Sequence, residues 1–325
     1  MVRRSSTVTS LHAGTPGAHI VLRIRATAAG TLTAVRAENA RPRVDVVVPF
    51  AGSEQALREL VARLRGLNLR DGDTLTVVDN RPAGSPPVDG VLRAPERQSS
   101  YFARNRGAAA GSNPWLVFLD ADVVAPPELI DRYLVEPPRE RTAVLAGGVV
   151  DEPLDERASP VARYTAIRAS MSQEVTLADD AWPFAQTANA AVRRAAFAQV
   201  GGFDASVRSG GDADLCFRLR AQGWQIEPRD GAAVVHRSRT TLGKLLRQRA
   251  RHGAGAGWLA REHPGAFPRK RWLGLAKWTA TSFASAAVAR VRGRRDEALV
   301  GLVEPLWVWT FELGRFLPNE VSRRG

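Results

Sequence analysis

The tripeptide Asp-Ala-Asp occurs twice in the chain, as Asp120 and Asp122 in "WLVFLDADVV" and as Asp212 and Asp214 in "RSGGDADLCF". In the first copy the acids leave the end of an apolar run. Two carboxylates at i and i+2 of an extended chain lie on one face. They repel unless a cation sits between them, and Mg²⁺ or Mn²⁺, hard and oxygen-seeking, fits that need. Such a cation can hold a diphosphate and neutralise its charge as it departs. The competing reading is a turn whose acid caps the following "PPELI". In the second copy the acids follow a Gly-Gly turn and open a helix, where the macrodipole and free N–H groups favour ionised carboxylates. That pair reads as a helix cap or as a general base, since a base must be ionised to work.

These acids need a scaffold, and its elements are legible. "VDVVVPF", "DTLTVVDN" and "WLVFLD" are β-branched or apolar runs, as expected of strands buried on both faces. Between them lie "SEQALRELVARLRGL", with Ser53 as N-cap, and "SSYFARNRGAAAG", both read as helices. Strand, helix, strand, helix, strand implies a parallel α/β sheet with ligands at the carboxyl ends of its strands. Pro49, Asp79 and Asp120 stand at those ends. Further strands are expected at 142–150, 187–194 and 232–238, with a helix over 212–224 and a helical remainder. "GAGAG" at 253–257 reads as a flexible bend.

The bulk properties narrow the class. The chain has 325 residues, enough for one large domain or two ordinary ones, and a globular balance of 44% hydrophobic and 24% charged residues. The lone Cys216 excludes an internal disulfide, and no Cys/His cluster has zinc spacing, which fits a reducing compartment. The net charge of +13 is uneven: +6 over 1–43, −5 over 44–236, +14 over 237–295 and −2 over 296–325. Basic flanks favour phosphates, nucleic acid or anionic lipid heads. Nucleic acid is not the expected partner, because the excess lies outside the α/β core and no nucleic-acid motif is present. There is no GxGxxG after the first strand, no Walker A stretch and no GxSxG elbow. No convincing signal peptide opens the chain. The stretches 272–291 and 298–311 read as helices packed on the core; an interfacial helix at a membrane surface is the alternative, and neither is a clean span.

Seven motifs in order, "VVVPF", "VVDN", "ARNRGAAAG", "FLDAD", "TANAAVRRAAFAQVGGFD", "GGDADLCFRLRAQGW" and "VVHRSR", resemble the family 2 glycosyltransferases of GT-A fold, over residues 44 to about 252. The resemblance implies an α/β fold with a mostly parallel, mixed sheet flanked by helices, preceded by a poorly ordered basic extension (1–43) and followed by a basic helical region (253–325). It implies a metal-assisted, inverting transfer of a sugar from a nucleotide-diphospho-sugar, in a hexosyltransferase serving a cell-envelope glycan. Pro49 and Phe50 would line the nucleotide cleft, Asp79 would bond the base and Arg104 would approach base or diphosphate. Asp120 would touch ribose and metal-bound water. Asp122 would ligate the metal, His236 would serve metal or diphosphate, and Asn189 would support the acceptor side. Asp212 matches the family's base. Gly211 stands where the family carries a Glu; this departure is what supports the alternative of a catalytically degenerate binding or scaffold subunit. Asp214 is left to capping or acceptor contact, and the arginines at 237, 239, 247, 249 and 251 to the diphosphate or a solvated face. The expected cofactor is Mg²⁺ or Mn²⁺. The expected acceptor is a saccharide or lipid-linked. The expected place is the cytoplasm, with attachment to an anionic inner membrane surface as an option.

Overall fold

The structure is a computed structural model that describes residues 22–26, 32–36, 41–154, 158–169, 172–237 and 241–321. In the first of two units, β1 (Leu22–Ala26) and β2 (Leu32–Arg36) form an antiparallel pair. The expectation of poor order falls on the rest of 1–40, outside the described residues.

The second unit begins at Pro42. Its chain runs β3 (Val44–Phe50), α1 (Glu54–Leu64), β4 (Thr74–Asp79), β5 (Leu92–Arg93), α2 (Ser100–Ala109), β6 (Trp115–Leu119), β7 (Val123–Val124), α3 (Leu129–Tyr133) and β8 (Thr142–Asp151). It continues through α4 (Pro160–Arg168), α5 (Gln173–Leu177), β9 (Asn189–Arg193), α6 (Arg194–Gln199), α7 (Gly211–Ala221) and β10 (Gln225–His236). Three long helices follow: α8 (Leu242–Glu262), α9 (Trp272–Val291) and α10 (Arg295–Gly314).

Eight strands form one mixed sheet in the order β5-β4-β3-β6-β9-β8-β10-β7. Strands β5, β4, β3 and β6 are parallel, β9 runs against β6 and β8, and β10 is parallel to β8. The carboxyl ends of β3, β4, β6, β8 and β10 therefore share one edge, where the amino end of β9 also lies. Alternation along β3 explains its unbroken apolar run. Val44, Val46 and Val48 pack with Leu57 and Leu60 of α1, while Val47 packs on the opposite face with Tyr101 and Ala103 of α2.

Three readings of the sequence change. The last strand starts at Gln225, not 232, because Pro228 stays in register opposite Ala146 and Asp230–Gly231 fall in a register shift between Arg229 and Val234 that does not end the pairing. The edge strand β7 hides in the residues just after Asp122. The "GAGAG" stretch is not a bend: it lies mid-way along α8, so the boundary expected at 252/253 falls within that helix. Its glycines are small because neighbours press on them. A Cβ at Gly253 would strike the Phe311 carbonyl, at Gly255 the backbone of Ser209 at 2.8 Å, and at Gly257 the Arg315 carbonyl at 2.5 Å. Close approach, not flexibility, is what those glycines supply.

The same logic places α2. A Cβ on Gly107 would overlap Val47 Cγ1 and come within 2.9 Å of Val78 Cγ2. Gly107 thus sets how deeply α2 seats on β3 and β4, one turn from Arg104. Gly107→Val should cost about 1–3 kcal/mol of stability through overpacking, read as a lower urea midpoint at unchanged m-value; an unchanged midpoint would show that α2 is not seated by this contact.

Candidate active site

The shared sheet edge collects the carboxyl-bearing residues. Asp120 follows β6, Asp79 ends β4, and register places His236 beside Asp151 and beside Val123. The Asp120–Ala121–Asp122 turn is held from several sides. Asp120 N–H donates to the Ala188 carbonyl at 3.1 Å, and Arg237 N–H donates to the Asp122 carbonyl at 3.1 Å. Arg63, in the last turn of α1, donates to the Ala121 carbonyl at 2.7 Å. Sequence reading missed Arg63, since a basic residue closing an amphipathic helix has an ordinary explanation in the macrodipole.

Arg104 connects the two Asp-Ala-Asp copies. Its side chain is 5% exposed, ion-paired with Asp120, and lies 5.7 Å from the Tyr101 ring centroid and 6.0 Å from that of Phe203. Its neighbour Asn105 accepts from Phe203 N–H at 3.0 Å and donates back to the Phe203 carbonyl at 2.8 Å, pinning the loop before α7. Desolvation raises the Asp120 carboxyl above its ordinary value; Arg104 pulls it down and Asp122 pushes it up. Asp212 is raised in the same way, by desolvation first, with Arg104 the leading opposing charge and Asp120 adding to the rise. One guanidinium thus offsets the charge of both copies, whose carboxylates feel each other.

Asp212 sits in the first turn of α7, entered through Gly210 at φ +87°. Tyr101 Oη donates to Asp212 Oδ1 at 3.4 Å. A Cβ on Gly211 would lie 2.9 Å from the Tyr101 ring, so the place of a side chain at 211 is occupied by that tyrosine. Asp214 turns the other way: it pairs with Arg218 at 2.7 Å and His263 Nε2 at 2.9 Å, tying α7 to the end of α8. Despite their spelling, the two acids of this copy serve different neighbours.

His236 is buried, with Nε2 3.7 Å from Asp122 Oδ2 and Nδ1 3.4 Å from Asp151 Oδ1. Burial lowers its basicity, but the two carboxylates outweigh that and push it up to about 9. The Asp122 side chain is 45% exposed and so open to a ligand. Among the described residues no three His, Cys, Asp or Glu form a ready-made cage. Mg²⁺ and Mn²⁺ take one or two carboxylates and complete their shell with phosphate oxygens and water. The residues fit such an ion: Asp122 and His236 as ligands, with Asp151 orienting the ring.

On the same sheet edge, past the ends of β3 and β4, a cavity of about 230 Å³ is lined among others by Pro49, Phe50, Asn80, Ser99, Arg208 and Arg251. Pro49 and Phe50 line this cavity, and of the arginine run Arg251 reaches it. Arg249 instead stacks on Trp307 and Phe311, at 3.3 and 4.0 Å from their centroids; Arg239 lies outside the described residues. Arg208 carries no motif signal. It is placed by the chain's far end, where Arg208 N–H donates to the Asn319 carbonyl at 2.8 Å.

Two candidates lie deeper than expected. Asp79 is fully buried and accepts from Arg81 and Arg93. Asn189 is fully buried as well, donating to the Gly148 and Ala232 carbonyls and accepting from Tyr133 Oη at 2.7 Å. Its amide stitches the cleft wall. For Asp79, burial raises the carboxyl, but hydrogen bonds from Arg81 and Arg93 win and hold it at about 2. Because the folded value lies below the unfolded one, its stabilisation is complete above about pH 4 and lost as pH falls through 2, worth about 2 kcal/mol. Urea unfolding at pH 7 and near pH 2 should show Asp79→Asn losing less on acidification than the parent chain; equal losses would sink this assignment.

The family described as glycosyltransferase-like family 2 matches residues 21–255. The pre-mycofactocin glycosyltransferases of two Mycobacterium tuberculosis strains are 32% identical to the chain over 228 residues, covering 68% of it and 48% of their own length. The chain therefore spans about half the length of these curated relatives. Among solved structures, a mannosyltransferase from Pyrobaculum calidifontis, in complex with GDP-Man and Mn²⁺, superposes with a TM-score of 0.53 at 19% identity over 85% of each chain. That likeness bears out the GT-A-type sheet with flanking helices.

Proposed function

Because the chain belongs to the glycosyltransferase-like family 2, we propose that it transfers a hexosyl group, with inversion, from a nucleotide-diphospho-sugar to an acceptor hydroxyl. The observation that carries this reading is the convergence of both Asp-Ala-Asp copies on Arg104, at the sheet edge that also bears a cavity lined by Pro49, Phe50 and two arginines. Base and ribose would occupy that cavity. Arg208 and Arg251 would face the diphosphate, where positioned cations stabilise developing charge. Asp79 would act behind the base, keeping Arg81 and Arg93 in place. Asn189 would hold the wall toward the acceptor.

Asp122 and His236 would hold the divalent cation. When bound, Mg²⁺ or Mn²⁺ neutralises the diphosphate as its bond to the sugar breaks. Asp212 takes the proton of the acceptor hydroxyl; that oxygen bonds the anomeric carbon from the face opposite the diphosphate, which leaves with the old bonding pair. Desolvation raises Asp212 above its ordinary value, which would strengthen its carboxylate as a base. Tyr101 orients the carboxylate. The absent acid at 211 does not argue for a degenerate scaffold, since Tyr101 fills its space and addresses the same carboxylate. A saccharide or lipid-linked acceptor fits the open side of the cleft, and work at the inner face of a membrane fits the lipid-linked kind.

Two substitutions separate the parts. Asp122→Ala should weaken UDP–Mn²⁺ or GDP–Mn²⁺ binding by about tenfold or more in calorimetry. Asp212→Asn should keep that affinity and lower turnover by about 100-fold or more; full turnover would remove Asp212 as the base. In the parent enzyme kcat/KM should fall on the acid side with an apparent pKa above the ordinary carboxylate range, since protonation inactivates the base. Tyr101→Phe should shift that limb with little change in donor affinity.

A further inference from the structure

The helical hairpin of α9 and α10 leaves a broad apolar face uncovered, and we propose that this face docks on an anionic lipid bilayer. The seam by which α9 packs is narrow. Leu275, Thr279, Ser282, Ala286 and Ala289 recur at spacings of four and three, and the contacts follow them: Trp309 Nε1 donates to Thr279 Oγ1 at 2.9 Å and Ser282 Oγ donates to the Gly301 carbonyl at 3.1 Å. The rest of α9 is exposed and carries large apolar side chains among Lys277, Arg290 and small residues. Leu273 and Val291 are each 89% exposed, Val288 49% and Phe283 40%. Across the hairpin, Leu302, Leu306 and Leu313 of α10 are exposed too. From Leu273 to Val291 these side chains span nearly the whole of a 20-residue helix, about 30 Å long, and extended exposed apolar surface marks an interaction site.

Charge decides the occupant. Between 269 and 295 there are eight Lys or Arg and no Asp or Glu. Arg269, Lys270 and Arg271 precede α9, Arg292, Arg294 and Arg295 follow it, and all six are exposed. An apolar helix bracketed at both ends by exposed cations matches acyl chains at its middle and anionic headgroups at its rims. A second copy of this chain fits poorly, because a two-fold interface would set the same eight cations against each other. Insertion across the bilayer fits no better: no described helix is long and apolar enough to cross one. Lys277 lies on the exposed side of α9, and Glu304 and Pro305 interrupt α10. The surface is separate from the donor cavity and does not depend on the transferase reading.

The test is flotation of the full chain with vesicles of phosphatidylcholine alone and of equal parts phosphatidylcholine and phosphatidylglycerol. Binding to the mixed vesicles should be about tenfold or more tighter and should weaken with added salt. The pair Leu273→Glu and Val291→Glu should abolish it with an unchanged melting temperature, both side chains being exposed. Arg292→Gln with Arg294→Gln should weaken binding to mixed vesicles only. No binding to mixed vesicles, or equal binding by the Glu pair, overturns the proposal. So does self-association of the parent chain in sedimentation velocity that the Glu pair abolishes, which would assign the face to a second copy.

Discussion

The site depends on one buried guanidinium. Arg104 is sandwiched near two aromatic rings, ion-paired to Asp120, and is the leading opposing charge at Asp212. Without it, two desolvated carboxylates of like charge would face one cleft, and each would tend to protonate. With it, the rise at each carboxyl is opposed by one shared positive charge. Both carboxyls are raised above their unfolded values, so ionising them weakens the fold as pH rises through those values. The buried Nε of Arg104 also has no hydrogen-bond partner. Costs of this kind collect where function, not stability, selects the residue.

Everything near Arg104 serves to keep it where it is. Gly107 lets α2 sit deep on the sheet, Ser99 caps that helix by accepting from Phe102 N–H, and Asn105 ties it to the loop that starts α7. The same loop is clasped from the far end of the chain, through Asn319 and Val321. The C-terminal helices are therefore part of the site's support. Their glycine seam brings α8 against Ser209 and α10, and through that loop they place Arg208 in the cavity. A truncation at 252 would remove that clasp and cut α8 in half.

Much of this was legible in the sequence because the signals are local. Buried parallel strands announce themselves as β-branched runs, and acids at their ends follow from the alternation of side chains. Pro49 and Asp120 stand at the carboxyl ends of β3 and β6, and Asp212 in the first turn of α7, as those rules imply. What was not legible depends on distant partners. Asp79 looks like a ligand group until Arg81 and Arg93 fold back on it. "GAGAG" looks flexible until Phe311, Ser209 and Arg315 are seen against its faces. Arg63 and Arg208 carry no pattern at all, since their roles come from where other elements end.

The two Asp-Ala-Asp copies differ because the backbone beneath them differs. After β6 the chain is extended and turns at once, so both acids look toward the cleft and Asp122 meets His236. At α7 the chain is already helical, so acids two apart diverge by about 200° around the axis. Asp212 then faces Tyr101 and the cleft, while Asp214 is carried round to Arg218 and His263. One tripeptide therefore supplies two cleft-facing carboxylates in a strand exit and only one in a helix. The second acid of the helical copy becomes a bolt between α7 and α8, and a replacement there acts on the seating of α7.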